Sequence, residues 1–450
     1  MIKAGTNKFF LLSIIFLHLC FLVWQVLHGN YYLTDSFEYL KAAANLKSDF
    51  LLYCGNLNKP VITELLTRRP PLYPLFLAAC QLISSSMVVV IILQNILSIT
   101  GIYLVRQILL KYGYLVKYDI LFIVLLLLTP SQLIYANMIM SDTLFQFLII
   151  LLVWFFIKYM NEKRYLYAFL YSAILALSVL TKPVFVYFVF VNVLFFIWIS
   201  FKRLTVKPFL LSLIPLMILF TYQYRNYRQT GVFEVSSIVT ANALDYNLYL
   251  FLTKTDGVLT ADSTISAIDS ISALQKSYKN KVAFKKQHAI AIVMKRPVKY
   301  AFFHIKGFAG FFLDPGRFDL VNFFNLNAEK TKGLLFQINQ VGLKGALAFL
   351  LKHSYVLLIF LTFIFASNLF KFYCFIRFIV QRNINKYSKG FIIFMILYVA
   401  FLTGPLGVAR YIMPLAPLYI GCGLLFLSHK LNKNVENVSE PDKKIALDSR

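Results

Sequence analysis

Acidic residues are scarce in this 450-residue chain: 19 Asp and Glu stand against 45 Lys and Arg, and charged residues of every kind make up only 14%. A soluble domain carries about a quarter, so a soluble globule is excluded. The six histidines form no H-x-x-x-H pair, which excludes a helix-borne zinc site of that kind. No glycine-rich phosphate loop occurs, which argues against nucleotide-sugar or ATP use. Cysteines are few, and Cys20, Cys54, Cys80, Cys374 and Cys422 lack the paired spacing of a disulfide framework or metal site. Short alternating apolar and polar segments are missing too, since 120–128 and 148–157 are continuous apolar runs, and this excludes a transmembrane β-barrel.

Apolar length is what the chain does have. Hydrophobic residues make up 59% and aromatics 17%, and mean hydropathy is +0.70. Apolar runs recur at roughly 20 residues, enough to cross a hydrocarbon core about 30 Å thick. Hydropathy places ten spans, at 9–28, 87–109, 119–136, 143–160, 165–181, 183–201, 208–224, 347–370, 390–405 and 412–428. The expected fold is an all-α polytopic membrane protein of about ten transmembrane helices with a mostly helical extracytoplasmic insertion. The stretch 71–84 is too short for a span and contains Pro74, so it reads as a re-entrant or interfacial helix. Lys3 and Lys8 precede the first apolar run without a small-residue cleavage site, so that run is expected to stay as an anchor.

A net charge of +26 raises nucleic acid as a partner, but the basic residues lie in short clusters between apolar runs. That is how cytoplasmic loops look, so the partner implied is the lipid bilayer and not nucleic acid. With the N-terminus inside, those loops hold fourteen basic residues, Arg106, Lys371 and Arg382 among them, and both termini are cytoplasmic. The expected division is a membrane module 1–224 with a first outer loop 29–86, an extracytoplasmic cap 225–346, membrane helices 347–429 and a disordered cytoplasmic tail 430–450. Within the cap, Ile265, Ile268, Ile271 and Leu274 recur every three residues and predict helix over 263–291. No internal repeat is visible.

The first outer loop begins a short helix at Asp35, with Glu38 three residues on. Two roles suit Asp35: the cap of a capping box with Glu38, or a general base held ionised at the membrane boundary by a helix N-terminus. The loop closes with TELLTRRPP, where Arg68 and Arg69 present planar forks suited to phosphate, either of a ligand or of lipid headgroups. Glu64 is available as their ion-pair partner. Asp142, Lys182, Arg225, Arg410 and Tyr411 fall at the outer ends of expected spans, where ionisable groups mark function. Arg410 stands alone in GPLGVARYIMP, a turn with little other charge, where snorkelling beside Tyr411 is the alternative role.

Six segments occur in the order TDSFEYLKAA, RRPPLYPLFLA, MSDTLF, LTKP, RNYRQTGVF and ARYIMPLAPLY. In that order they resemble bacterial integral-membrane glycosyltransferases of the GT-C fold, in the dolichyl-phosphate-mannose protein mannosyltransferase-like superfamily with its aminoarabinose and galacturonosyl transferases. The resemblance implies a polyprenyl-phosphate sugar donor, Asp35 as catalytic base, and Arg410 at the donor phosphate. It also implies a bacterial inner (cytoplasmic) membrane location, an active site on the outer face, and an extracytoplasmic acceptor among envelope glycans, lipids or protein hydroxyls. Phosphate is already a good leaving group, so one base and several cations suffice, and single displacement inverts the anomeric centre. Arg68, Arg69, Arg410 and Tyr411 are expected around the donor phosphate, with Glu38, Glu64, Asp142, Lys182 and Arg225 as secondary candidates.

Two positions depart from the family pattern. Ser36 stands where several relatives carry a second acid, and Arg68-Arg69-Pro70 replaces the Glu-Lys-Pro of the aminoarabinose transferases. A divalent cation then has only Asp35, Glu38, Glu64 and Asp142 to draw on, so no cofactor is assigned and arginine is the alternative to a metal. Acceptor selection is expected in the cap, where Asp245, Asp256, Asp262 and Asp269 interleave with Asn and Ser. The competing class is a transporter or flippase of lipid-linked sugars, which Pro-broken runs such as Lys182-Pro183 would serve. Missing repeats and missing midplane charges argue against it.

Overall fold

The computed structural model describes residues 4–326, 342, 344–345, 347–348, 355–381 and 384–447, with side chains from residue 7 to residue 431 of these. Every regular element among the described residues is a helix. Seven are long and apolar enough to cross a membrane: Asn7–His28, Met87–Lys111, Asp142–Glu162, Pro183–Arg203, Tyr355–Val380, Lys386–Thr403 and Ala409–Leu431. The chain is a multi-pass helical membrane protein.

Three of the ten expected spans take another form. The run 119–136 is two short helices, Asp119–Leu127 and Ser131–Ala136, because Pro130 has no N–H and its ring cannot continue the helix. The run 165–181 is the 15-residue helix Tyr165–Val179. The run 208–224 lies in Lys207–Thr230, whose final turns, TYQYRNYRQT, are polar. The short apolar stretch 71–84 forms Leu72–Ile83, packed on the helix Thr34–Asp49 and on Met87–Lys111.

A broken helix in an apolar body needs partners for its freed backbone groups, and the sequence supplies them from elsewhere. Lys371 donates from Nζ to the Leu128 carbonyl at 3.2 Å and to Thr129 Oγ1 at 2.7 Å. Gln94 donates to the Met138 carbonyl at 2.7 Å, Asn95 to Ala136 at 3.2 Å, and Gln146 to Met413 at 2.7 Å. Two charges assigned to cytoplasmic loops are therefore misplaced. Lys371 lies buried inside the helix Tyr355–Val380, which also places an ionisable group within a span, contrary to expectation. Arg106 is fully buried in Met87–Lys111, forked onto Asp119 at 2.9 and 2.7 Å and bonded to Asn7 at 2.6 Å. A charge in an apolar run reads as a loop residue unless its partner, distant in sequence, is known.

The segment 225–346 is helical where described. The helix expected over 263–291 is two, Val258–Ala273 and Tyr278–Met294, because Ser277 caps the second by accepting from the Asn280 N–H. Pro297–Leu313 then returns to the membrane body, burying Phe311 and Phe312 in its main core. The following helix Arg317–Phe323 packs on Ser131–Ala136, and Phe323 stacks on Phe21 at 5.5 Å. The last helix, Ala416–Leu447, runs through most of the segment expected to be a disordered tail. Residues 327–341, 343 and 346 of the 225–346 segment, residues 349–354 of the 347–370 span and Arg382 lie outside the described residues.

Candidate functional site

Four span ends converge on one place. Asn7–His28 leads directly into the helix that carries Asp35, Asp142 opens Asp142–Glu162, Lys182 precedes Pro183–Arg203, and Arg410 opens Ala409–Leu431. These charges therefore stand at or next to the ends of helices long and apolar enough to cross a membrane.

The helix Thr34–Asp49 does not begin as the sequence suggests. Its N-cap is Leu33, and Ser36 Oγ accepts the Leu33 N–H at 2.9 Å, so Asp35 and Glu38 form no capping box. Both carboxylates turn to arginines, which bind an ionised acid more strongly than a neutral backbone N–H can. Asp35 accepts from Arg69 Nη2 at 2.8 Å on one oxygen and from Arg410 Nη2 at 3.1 Å on the other. Glu38 accepts from Arg69 Nε at 2.6 Å and Arg68 Nε at 3.2 Å, and Glu64 accepts from Arg68 Nη1 at 2.8 Å. Beyond Arg410, Asp142 accepts from its Nε at 3.4 Å and Nη2 at 3.3 Å, and from Lys182 Nζ at 2.7 Å.

Eight side chains thus make one alternating chain, Glu64–Arg68–Glu38–Arg69–Asp35–Arg410–Asp142–Lys182, with four charges of each sign. Asp142 is wholly buried and the Asp35 side chain is 27% exposed, so one end of the network is sealed and its middle is open. Burial opposes ionisation of Asp35, but Arg410 and Arg69 together outweigh it and hold the carboxyl at about 2. Burial likewise opposes the charge on Arg69, and Tyr39, Asp35 and Glu38 overcome it, keeping the guanidinium above the ordinary arginine value.

Arg225 is not in this network. It donates to the Leu66 carbonyl at 3.2 Å and braces the turn leading to Arg68, a turn also tied down by Ser236 Oγ on the Arg68 carbonyl at 2.6 Å. Tyr411 follows Arg410 on the same short helix and packs against the main core. In the cap, Asp256 pairs with Arg296 and Asp269 with Lys285. No three His, Cys, Asp or Glu side chains converge as metal ligands among the described residues.

Several residues that shape the site escaped the sequence. The Arg69 guanidinium lies over the Tyr39 ring at 4.9 Å, and Tyr39 Oη meets Ser141 Oγ at 3.0 Å. Arg410 lies over Tyr135 at 5.6 Å, and the Tyr135 hydroxyl donates to Asp319 at 2.8 Å, whose other oxygen accepts from Ser131 at 2.6 Å. Burial pushes the Asp319 carboxyl up to about 6 against the opposing pull of those two hydrogen bonds. Asp314 accepts the Ala409 N–H at 2.6 Å, fixing the backbone just before Arg410. The one signal for this pair was two acids in DPGRFD directly after an apolar helix.

No known sequence family, curated protein or solved structure matches the chain.

Proposed function

We propose that this chain is an integral-membrane glycosyltransferase of the GT-C kind, moving a sugar from a polyprenyl-phosphate donor to a hydroxyl of an extracytoplasmic acceptor. The observation that carries this is the position of Asp35 between Arg69 and Arg410, partly open, where four span ends meet. A lipid-phosphate sugar keeps its tail in the bilayer and its phosphate and C1 at such a boundary. The membrane is then the bacterial inner membrane, with the site on its outer face and both termini in the cytoplasm.

The chemistry follows from competition. A carboxylate held at about 2 by two guanidiniums is a poor acceptor for a hydroxyl proton. A donor phosphate binds the same forks, and as Arg410 and Arg69 turn to it, burial becomes the dominant influence on Asp35 and raises its basicity. The acceptor hydroxyl oxygen then attacks C1 and its proton passes to Asp35. The bond from C1 to the phosphate oxygen breaks, and polyprenyl phosphate leaves with the electron pair. C1 is inverted, and the arginines carry the charge that a metal would otherwise neutralise.

A flippase is the weaker reading: the eight linked charges gather where span ends lie, and Lys371, buried within a span, is taken up by the Leu128 carbonyl and Thr129. The cavity enclosed beside Lys371, Thr129 and Asp314 measures about 20 Å³, room for roughly one water. The test is a transfer assay with a polyprenyl-phosphate sugar in lipid, comparing the native chain with Asp35→Asn. Loss of turnover by about a hundredfold or more with donor binding retained is expected of a general base. Native turnover by a folded Asp35→Asn protein would remove Asp35 from the chemistry.

A further inference from the structure

From Lys276 to Lys306 the chain carries nine Lys and Arg and no Asp or Glu. Two of the nine take acids from neighbouring helices, Lys285 from Asp269 and Arg296 from Asp256. Lys299 and Lys306 remain exposed on the helix Pro297–Leu313, and Lys254 joins them from the helix Tyr249–Asp256, its Nζ 5.1 Å from the Phe303 ring. Burial first and the proximity of Lys306 second lower Lys254 below the ordinary lysine value, so like charges crowd together at this edge.

The same helix leaves an apolar stripe uncovered. At about 100° per residue, Val298, Phe302 and Ile305 fall on one narrow arc, with Lys299 and Lys306 along its border. Those three apolar side chains are 67%, 64% and 61% exposed, whereas Phe303 and Phe311 on the opposite side are buried. The helix that bears the stripe packs through another side on a candidate membrane span: the His304 ring lies on Phe401 at 4.8 Å, and Phe401 is an exposed residue of the span Lys386–Thr403. An apolar stripe edged by cations, on a helix packed against a span, has the composition of an interfacial helix.

We propose that this edge of Pro297–Leu313 is a docking surface for an anionic phospholipid, with Val298, Phe302 and Ile305 against the acyl boundary and Lys254, Lys299 and Lys306 on the headgroup phosphate. Three clustered lysines, of which Lys299 also feels Asp256, select an anionic headgroup over a zwitterionic one, by about fivefold for each lysine near the surface. The proposal stands whether or not the chain is a transferase.

Fluorescence of a Phe302→Trp protein tests it, using full-length chain in bilayers that contain brominated phosphatidylglycerol or brominated phosphatidylcholine and subtracting the signal of the chain with Phe302 intact. The expected result is several-fold stronger quenching by the brominated phosphatidylglycerol, and a preference that disappears in Lys254→Gln/Lys299→Gln/Lys306→Gln. If the triple variant does not fold, Lys306→Gln alone decides the question, with the preference reduced by about fivefold. Equal quenching by the two lipids in the Phe302→Trp protein, or a preference unchanged by the lysine substitutions, overturns the proposal.

Discussion

Gly307 packs against Gly404 backbone to backbone, so that a Cβ on Gly307 would be driven into the Gly404 carbonyl oxygen. A Cβ on Gly310, one turn on, would stand 2.8 Å from the Gly407 carbonyl oxygen, and Gly407 has a φ of +53° that suits glycine. The turn 404–407 leads within three residues to Arg410, and Asp314 pins the N–H of Ala409, the residue just before it. The helix after the cap therefore sets where Arg410 stands.

Gly307→Ala should destabilise the protein even though alanine favours a helix by about 0.5–1 kcal/mol. The obstructing atom belongs to the backbone and cannot rotate away, and overpacking of this kind costs roughly 1–3 kcal/mol. Gly390 also lies inside a helix but faces open space, so Gly390→Ala should raise the melting temperature slightly. Thermal melts in detergent should move in opposite directions for the two variants, with transfer reduced only in Gly307→Ala.

Arg410→Lys keeps a charge but loses the fork that spans Asp35 and Asp142. A hydrogen bond to a charged group is worth about 1.5–3 kcal/mol, so donor affinity should fall by roughly tenfold or more. Arg410→Ala should bind still more weakly. Binding of a polyprenyl-phosphate sugar by purified protein in lipid reads this out, and native affinity in Arg410→Lys would show that the fork does not hold phosphate.

Lys182 and Asp142 form the sealed end of the network, 2.7 Å apart with Asp142 wholly buried. Lys182→Met leaves a buried carboxylate to the longer contacts from Arg410, and breaking such a pair costs about 3–5 kcal/mol. Adding Asp142→Asn removes the stranded charge and should recover part of that loss. A double-mutant cycle on melting temperature measures the coupling, and simple additivity would mean that the pair contributes little.

Asp319 gives the fold a pH dependence of defined sign. Its folded value near 6 lies above the ordinary aspartate value, so the unfolded chain gives up this proton at lower pH than the folded one. The native protein should lose stability relative to Asp319→Asn as pH rises from about 4 to about 6, by roughly 3 kcal/mol, and the difference should then level off. Asp35 runs the other way: held at about 2, it stabilises the fold above the ordinary aspartate value, and that contribution is lost as pH falls toward 2. Melts of the native chain, Asp319→Asn and Asp35→Asn across pH 3–8 separate the two trends.

Helical class, a membrane environment and the charged residues that matter are legible in the sequence. Apolar runs fix the first two because hydrocarbon admits few alternatives for the backbone. Asp35, Arg68, Arg69, Asp142, Lys182 and Arg410 stood out because charge beside an apolar run is costly without a partner. The partners themselves were decided by tertiary structure alone. Glu38 joins two arginines, and Ser36 rather than Glu38 bonds back to the backbone N–H at the helix start, because Arg69 and Arg410 arrive from segments distant in the chain. Lys371 and Arg106 looked like loop charges for the same reason, their partners being Thr129, in the break that Pro130 makes, and Asp119, at the start of the helix before it. The placement of Arg410 rests on Gly307 meeting Gly404 and on Asp314 reaching Ala409, contacts made through backbone atoms that every residue carries and that no residue type announces.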